Sequence, residues 1–433
     1  MKVVGIITEY NPFHNGHKYH IEKAKEITGA DYVIAVMSGN FVQRGHPALM
    51  DKYSRSRMAL NNGLDLVLEL PTYYATASAE FFALGAVSLL DGLGIVDYIC
   101  FGSECGDIKL LDEAARLFNN PSDKFQDLIS SYLRNGLSYP MARAKAASKF
   151  LTIDGDSKDK ALTNLISEPN NILGIEYIKA LLRINSSIKP ITISRTKAHY
   201  HDKEVNYPIV NNQSPDKNTD YTVSSATAIR NIIEDTDSLL ALSPIKDSVP
   251  QNVFDYFTSN YNITYPITIK DFESIIKYKL LWESKHDLSS YQDLSPDMAD
   301  RIKNIDLINT NIQELIEKIK TKNITLTRVN RSLIHVLLDI KTDVLIGFIQ
   351  DNLIYYARVL GVKKEATHLI RKIKESGKLP VITKLSKAHE QLDALGMKML
   401  NKDILASHLF YQALYDKFEV NLQNEYKQEL AII

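Results

Sequence analysis

Over the first hundred residues, short apolar runs alternate with longer stretches of helical periodicity. VVGIIT is followed by a helical pattern through KYHIEKAKEI, then YVIAVM, a helix around YSRSRMALNN, LDLVLEL, a helix through AEFFALGAVSLLDGL, and VDYICF. Brief β-type runs separated by helices predict right-handed βαβ units, and hence a parallel sheet covered on both faces. SGN, NNG, ELP and GSE fall at the ends of these runs, where turn chemistry is needed. From Ile108 to Leu182 the pattern is mainly helical, with helices expected in SYPMARAKAASKF and NNILGIEYIKALL. PITIS, ending at Ser194, reads as a fifth strand. VNNQSPDKNTDYT has no periodicity and reads as a surface loop leading to a helix start in VSSATAIRNIIE. After Pro250 the alternation gives way to long helical patterns. An α/β parallel-sheet domain over 1–250 and a mainly α-helical domain over 251–433 are therefore expected, with no internal repeat and no heptad run.

Composition narrows the setting rather than the chemistry. The 433 residues carry a formal net charge of -1, so an anionic partner has to be met by a local patch. Cys100 and Cys105 form neither a disulfide framework nor a metal-ligand spacing, which points to a reducing compartment. The chain enters its first strand without a charged region, apolar stretch and cleavage site, so no secretion signal is expected. The longest apolar region, from Arg331 to Val362, is interrupted by Asp339, Lys341, Asp343 and Asp351 and does not read as a membrane span. A cytoplasmic protein is expected.

The chemistry concentrates in EYNPFHNGHKYH, at the end of the first strand. Ligands of an open parallel sheet bind at the carboxyl ends of its strands, where helix N-termini offer unpaired N–H groups and partial positive charge. His14 and His17, three apart in a first helical turn, project from one face, and Gly16 lets a phosphate approach the backbone. The alternative is a structural histidine pair. No third ligand sits nearby for zinc, and no protein metal site is expected. In VSSATAIR, Ser224 or Ser225 is placed to cap the next helix, with Thr227 and Arg230 in its first turns. By itself that is an ordinary capped helix; paired with the first motif it reads as the second half of a phosphate site. KLSK, Lys384–Lys387, is taken as part of a basic patch.

HNGH together with SSATAIR resembles the HxGH signature of the nucleotidylyltransferase superfamily, which implies a Rossmann-like nucleotidylyltransferase domain. The ordered series VGIITEYNPFHNGHKYH, VIAVMSGNFVQRG, LVLELP, CFGSE, SYPMAR, PNNILGIEYIKA, YHD and SSATAIR resembles more closely the tRNA(Met) cytidine acetate ligase family. The series runs from Met1 to about Glu234; beyond it the likeness rests loosely on RVNRSLIHVLLDI. The resemblance implies adenylation of acetate by ATP and transfer of the acetyl group to N4 of the wobble cytidine of elongator tRNA(Met), with Mg2+ bridging phosphates. His14, His17 and Arg230 would be catalytic. ATP contacts would fall on Ile7, Thr8, Glu9, Tyr10, Asn11, Pro12, Phe13, His14, Asn15, Gly16, His17, Lys18, Tyr19 and His20, on Gly102, on Asn170 or Asn171, on Arg195, and on Ser224, Ser225 and Thr227. Ser38, Gly39 and Asn40 are expected to hold acetate or admit cytosine, and Phe41 or Tyr139 to stack on the base.

For the RNA, Val362–Lys387 carries eight Lys and Arg against two Glu, and arginines cluster again in YSRSRMAL. Either run also fits a solvated helix face. Two other classes of function compete: a coenzyme-type adenylyltransferase acting on a small phosphate-bearing acceptor, and a non-catalytic nucleotide- or tRNA-binding protein. The first has no use for so large a helical part, and the second does not need the histidines.

Overall fold

The computed structural model describes residues 1–135, 137, 139–150, 165–195, 225–234 and 238–433. Its centre is an eight-stranded sheet: β1 (Val3–Thr8), β2 (Tyr32–Ser38), β5 (Leu66–Leu70), β6 (Tyr98–Ser103), β7 (Lys189–Ser194), β8 (Ala357–Val362), β9 (Val381–Ile382) and β10 (Ala431–Ile432). The order is β10-β8-β5-β2-β1-β6-β7, with β9 also paired to β8. β1, β2, β5, β6 and β7 are mutually parallel, whereas β8 runs antiparallel to β5. Two short strands, β3 (Phe41–Val42) and β4 (His46–Pro47), form a separate hairpin after β2.

Successive residues along each strand point to opposite faces, and both faces are apolar. Val3, Ile34, Val36, Leu66 and Leu68 enter one core, and Val4, Ile6, Val33, Ala35, Met37 and Val67 the other. The second core is covered by α1 (Asn15–Thr28), α2 (Lys52–Asn61), α8 (Ala226–Glu234) and α9 (Gln251–Asn260). The first is covered by α3 (Ala79–Gly92), α4 (Ile108–Asn119), α5 (Asp123–Arg134), α6 (Tyr139–Ala147) and α7 (Pro169–Arg183). It continues into the C-terminal helices α10 (Glu273–Trp282), α11 (Leu326–Leu338), α12 (His368–Ser376) and α13 (Ala394–Phe418). Strand order reverses between β1 and β6, which opens a crevice at the carboxyl end of β1.

The five parallel strands fall where the apolar runs placed them. The chain beyond 250 is mainly helical, but it also returns β8, β9 and β10 to the same sheet, so residue 250 marks a change of pattern and not a separate core. Among the described residues no helix is long and apolar enough to cross a membrane. Residues 210–222, expected as a loop, and 200–202 lie outside the described residues.

What fastens the C-terminal strands is a buried charge cluster. Lys52 Nζ contacts Glu69 Oε1 at 2.7 Å and Glu425 Oε1 at 2.5 Å, and Arg358 contacts Glu69 Oε2 at 2.9 Å and Glu425 Oε1 at 2.5 Å. Arg358 stands directly across from Glu69 in the β5–β8 register, and Tyr411 donates to Glu425 Oε2 at 2.6 Å. Each ion has lost its water, so the cluster holds only while every member is present. Glu425→Ala leaves two buried cations sharing one carboxylate, and is expected to lower unfolding free energy by about 3–5 kcal/mol in urea titration.

Candidate active site

The loop from Glu9 to His14 leaves β1 under strain and is held by two arginines. Tyr10 has φ 47, a left-handed backbone for which an aromatic residue carries a cost of about 1–3 kcal/mol. The carbonyls on either side of it are gripped: Arg55 Nη1 donates to Glu9 O at 2.6 Å, and Arg230 Nη1 donates to Asn11 O at 2.6 Å. Arg55 is fully buried and also donates to Met50 O at 3.1 Å, to Ser38 O at 3.1 Å and to Gly39 O. One guanidinium thus ties the loop after β1 to the loop after β2. Burial pushes Arg55 down to about 10, with Asp51, Glu9 and Glu69 opposing, so it remains charged near neutral pH.

The two histidines build the helix start between them. His14 caps α1, its Nδ1 accepting from Gly16 N at 3.0 Å, and His17 Nδ1 accepts from His14 N at 3.3 Å. The rings stack 3.7 Å apart at 27°, and Tyr10 and Phe13 back His17 at centroid distances of 4.9 and 5.6 Å. Because each Nδ1 accepts a backbone proton, a neutral ring carries its own proton on Nε2. Burial, with Arg195 and Arg230 nearby, pushes His14 down to about 3. Burial and then His14, Arg195 and His20 hold His17 well below its ordinary value. His20 falls to about 4 through burial and Arg195. All three are neutral donors or acceptors at pH 7, and the positive charge of the site comes from arginines and the α1 N-terminus.

The remaining expected residues divide between site and scaffold. Ile7, Thr8 and Glu9 are half-buried at the end of β1, while Asn11, Pro12 and Phe13 are buried. Asn11 Oδ1 accepts from Leu49 N at 2.8 Å, and Asn15 Nδ2 donates to Asp247 O at 2.8 Å. Gly16, Lys18 and Tyr19 are half-buried, with Lys18 4.0 Å from Glu22. On α8, Ser225 Oγ accepts from Ala228 N at 3.1 Å and so is the cap; Ser224 lies outside the described residues. Arg230 Nη2 donates to Thr227 Oγ1 at 3.1 Å, which fixes the guanidinium against its own helix.

Across the crevice, Gly102 lies under Arg195: a Cβ there would sit 3.0 Å from Arg195 Cγ, so a larger residue would press on the arginine stem. Arg195 Nη1 reaches Asn170 Oδ1 at 3.4 Å. Glu104 caps α7 by accepting from Asn170 N at 3.2 Å, Asn170 Nδ2 at 2.5 Å and Asn171 N at 2.8 Å. Asn171 is buried and accepts from Cys105 N at 3.1 Å. Asn170 is therefore the asparagine that faces the crevice with Arg195, and Asn171 holds the β6 loop.

Ser38, Gly39 and Asn40 do reach the carboxyl end of β2, but none of them offers an open side chain. Ser38 and Asn40 are buried, Asn40 Oδ1 accepts from Lys52 N at 2.8 Å, and Gly39 abuts the Glu69 carboxylate. Phe41, expected to stack on a base, is buried against Phe272 and Phe410. The side chain of Tyr139 lies outside the described residues. Arg55, read as part of an RNA-binding cluster, is internal; Arg57 is the exposed arginine of that helix. The basic run 362–387 follows the end of β8 that pairs with the start of β5, and His368 of α12 packs on Tyr32 at the start of β2. The first part of that run, through α12, therefore lies at the opposite end of the sheet from the crevice, whereas Val381 and Ile382 pair with Ala357 and Arg358 beside the carboxyl end of β5.

The scaffold role of Arg55 was misread, since it sits in a polar helix start with no apolar period to mark it as internal. Among the described residues no group of three or more His, Cys, Asp or Glu side chains could hold a metal.

A crevice at the switch point of a doubly wound sheet, with a histidine-capped helix and converging arginines, defines a nucleotidyl-transferring protein. The family model described as HIGH Nucleotidyl Transferase matches residues 1–426. Proteins named tRNA(Met) cytidine acetate ligase are 38% identical in Acetivibrio thermocellus, over all of both chains, and 40% identical in Clostridium kluyveri, over 93% of this chain and 96% of the relative. The chain belongs to this family of ligases. Thermotoga maritima TmcAL, solved bound with alpha-thio ATP, superposes with a TM-score of 0.86 at 28% identity, covering 100% of this chain and 99% of that one. Its apo form gives 0.88, over the whole of both chains.

Because the folded-state values of His14, His17 and His20 lie below that of a free imidazole, the unfolded chain binds more protons as pH falls. Their neutral burial therefore contributes stability that is full above about pH 6.5 and declines toward pH 3. Thermal melts from pH 8 to 4 are expected to show this loss, with a shallower slope for His14→Asn, which removes one of the titrating rings.

Proposed function

We propose that the chain is an ATP-dependent acetate ligase that forms acetyladenylate and transfers the acetyl group to N4 of the wobble cytidine of elongator tRNA(Met), giving N4-acetylcytidine. The observation that carries this reading is the pair of neutral, Nε2-protonated histidines at the α1 N-terminus, flanked by Arg195 and Arg230. Such a pair donates to a phosphate without competing for its proton. Acetate is already ionised at neutral pH, so adenylation requires no general base and depends on positioning and charge.

In the first step an acetate oxygen bonds to the α-phosphorus, and the bond from that phosphorus to the bridging oxygen breaks. Pyrophosphate leaves with the electron pair. His14 and His17 hold the α-phosphate oxygens through Nε2–H, and Arg230, anchored on Asn11 O and Thr227, faces the developing charge. Asn170, Gly102 and Arg195 form the nucleoside side of the crevice. In the second step N4 of cytidine attacks the acyl carbon, the carbon–oxygen bond breaks, AMP departs and the N4 proton passes to water. A Mg2+ ion would enter with the nucleotide and would supply positive charge to the pyrophosphate as it departs.

The RNA must bring an extruded base to the crevice. We assign the exposed Arg371, Lys372 and Lys374 of α12 to phosphates outside the anticodon loop, since they lie at the far end of the sheet. Such an enzyme works where ATP and tRNA are, in the cytoplasm.

Purified protein with ATP, labelled acetate and tRNA(Met) bearing unmodified cytidine is expected to release pyrophosphate and place label on the RNA. A His14→Ala, His17→Ala double variant should be slower by about 10²-fold or more. Label absent from the RNA, or acetylation from acetyl-CoA without ATP, would contradict the proposal.

A further inference from the structure

We propose that Glu104 is a positioning residue for the nucleoside of ATP: it fixes the Asn170 amide against Arg195 and closes the α7 N-terminus to phosphate, so that the nucleotide lies across the crevice in one direction. The proposal deepens the ATP-dependent reading above and rests on it.

Two helix starts flank the crevice, and opposite chemistry caps them. α1 begins under the neutral His14 imidazole, which accepts from Gly16 N at 3.0 Å, and no acid stands in its first turn. α7 begins at Pro169 after Glu168, whose own side chain makes no cap bond. The cap comes instead from the β6 loop: Glu104 Oε1 accepts from Asn170 N at 3.2 Å, and Glu104 Oε2 from Asn171 N at 2.8 Å. Either helix start, left open, carries the partial positive charge that draws anions. At α7 a carboxylate already fills that place. A triphosphate is therefore turned toward α1, and the nucleoside toward α7.

The hold between loop and helix is reciprocal. Asn171 Oδ1 accepts from Cys105 N at 3.1 Å, so α7 in turn grips the residue after Glu104. Ser103 Oγ lies 2.6 Å from Thr192 Oγ1 and accepts from Gly106 N at 3.0 Å, which ties the same loop to β7. α7 sits so close to β6 that a Cβ on Gly174 would stand 2.7 Å from Phe101 Cε2. Glu104 thus presents its carboxylate from a backbone fixed on both sides, with little freedom left to lose when a ligand arrives.

The same carboxylate decides which way Asn170 faces. Its oxygen accepts, so the amide turns Nδ2 to Glu104 Oε1, at 2.5 Å. A guanidinium only donates, so Oδ1 faces Arg195, whose Nη1 lies at 3.4 Å. The flipped amide would set its NH2 against the guanidinium and its carbonyl against the carboxylate, two repulsive contacts in place of two bonds. Arg195 is exposed, and its backbone is fixed by Arg195 N donating to Ser103 O at 2.9 Å. Asn170 steadies its guanidinium over Gly102, and among the described residues that guanidinium makes no other hydrogen bond. An exposed arginine held in this way gives up less rotamer freedom when the nucleotide binds.

The test is calorimetric binding of ATP, adenosine and pyrophosphate to the full chain, alongside acetate-dependent exchange between ATP and labelled pyrophosphate. Glu104→Gln is expected to weaken ATP and adenosine by about 10-fold and to raise KM for ATP by a similar factor, with kcat within about twofold. Pyrophosphate, which needs only the α1 side, should bind no more weakly than to wild type. Asn170→Ala leaves both backbone cap bonds of Glu104 in place and should show the same loss for adenosine. The double variant should then be no worse than either single one, because Glu104 acts on the nucleoside through Asn170. Glu168→Gln removes an acid from the same helix start without touching the cap and should change none of the three affinities. Equal weakening of adenosine and pyrophosphate by Glu104→Gln would mean a general loosening of the site and overturn the proposal. Unchanged adenosine affinity, or losses that add in the double variant, would overturn it as well. Wild-type protein that binds ATP without acetate-dependent exchange would overturn the acetate-ligase reading alone, since adenosine binding does not depend on the acid.

Discussion

The site depends first on a single buried guanidinium. Arg55 has no exposed surface, and its hydrogen bonds go to four backbone carbonyls, of Glu9, Ser38, Gly39 and Met50. Three of those carbonyls lie where the chain leaves β1 and β2 side by side, and the fourth, of Met50, precedes α2. An amide oxygen is a weak partner for a buried cation, so several are needed to offset its desolvation. Once they are gathered, the two turns cannot move apart. Arg230 does the same from the opposite side through Asn11 O, and the strained Tyr10 is held between the two clamps. The cost of that backbone is carried by the arginines, and its result is a helix start whose cap is made of imidazoles.

That arrangement separates two tasks that histidine usually combines. Positive charge beside the histidines comes from Arg195, Arg230 and the α1 N-terminus. The histidines, pushed far below neutrality by burial and by those cations, commit each Nδ1 to the backbone, so each neutral ring carries its proton on Nε2. A site built this way is ready for anionic oxygen before the nucleotide arrives, with no proton to move first. The C-terminal part contributes more than a place for RNA. Its α11 braces the β3–β4 turn, and Glu425 completes the charge cluster behind Gly39 and Asn40.

The parallel strands, the switch-point crevice and the starts of α1 and α8 were legible because each leaves a local mark: an apolar run, a turn, a histidine pair or serine pair before a helix. β8 and β10 left none. β8 is buried on both faces and follows directly on an apolar helical stretch, so neither alternation nor a break announces it. The two-residue strands of the β3–β4 hairpin are too short for any period. Arg55 was read as surface charge, and Lys52 left no mark, because the start of α2 is polar at nearly every position and buried all the same. Their partners are carbonyls of distant turns and acids from Glu69 and Glu425, which no local pattern reveals. Asn170 and Asn171, indistinguishable in sequence, were separated only by Glu104 and Cys105 across the crevice.

The central claim is that an acetate oxygen bonds to the α-phosphorus of ATP at the histidine-capped helix. Running the complete reaction with acetate doubly labelled with heavy oxygen, and weighing the AMP released, tests it most directly. The account predicts one heavy oxygen in each AMP, left behind when N4 of cytidine takes the acyl carbon. AMP carrying no label, with acetylated tRNA formed at the same time, would contradict it.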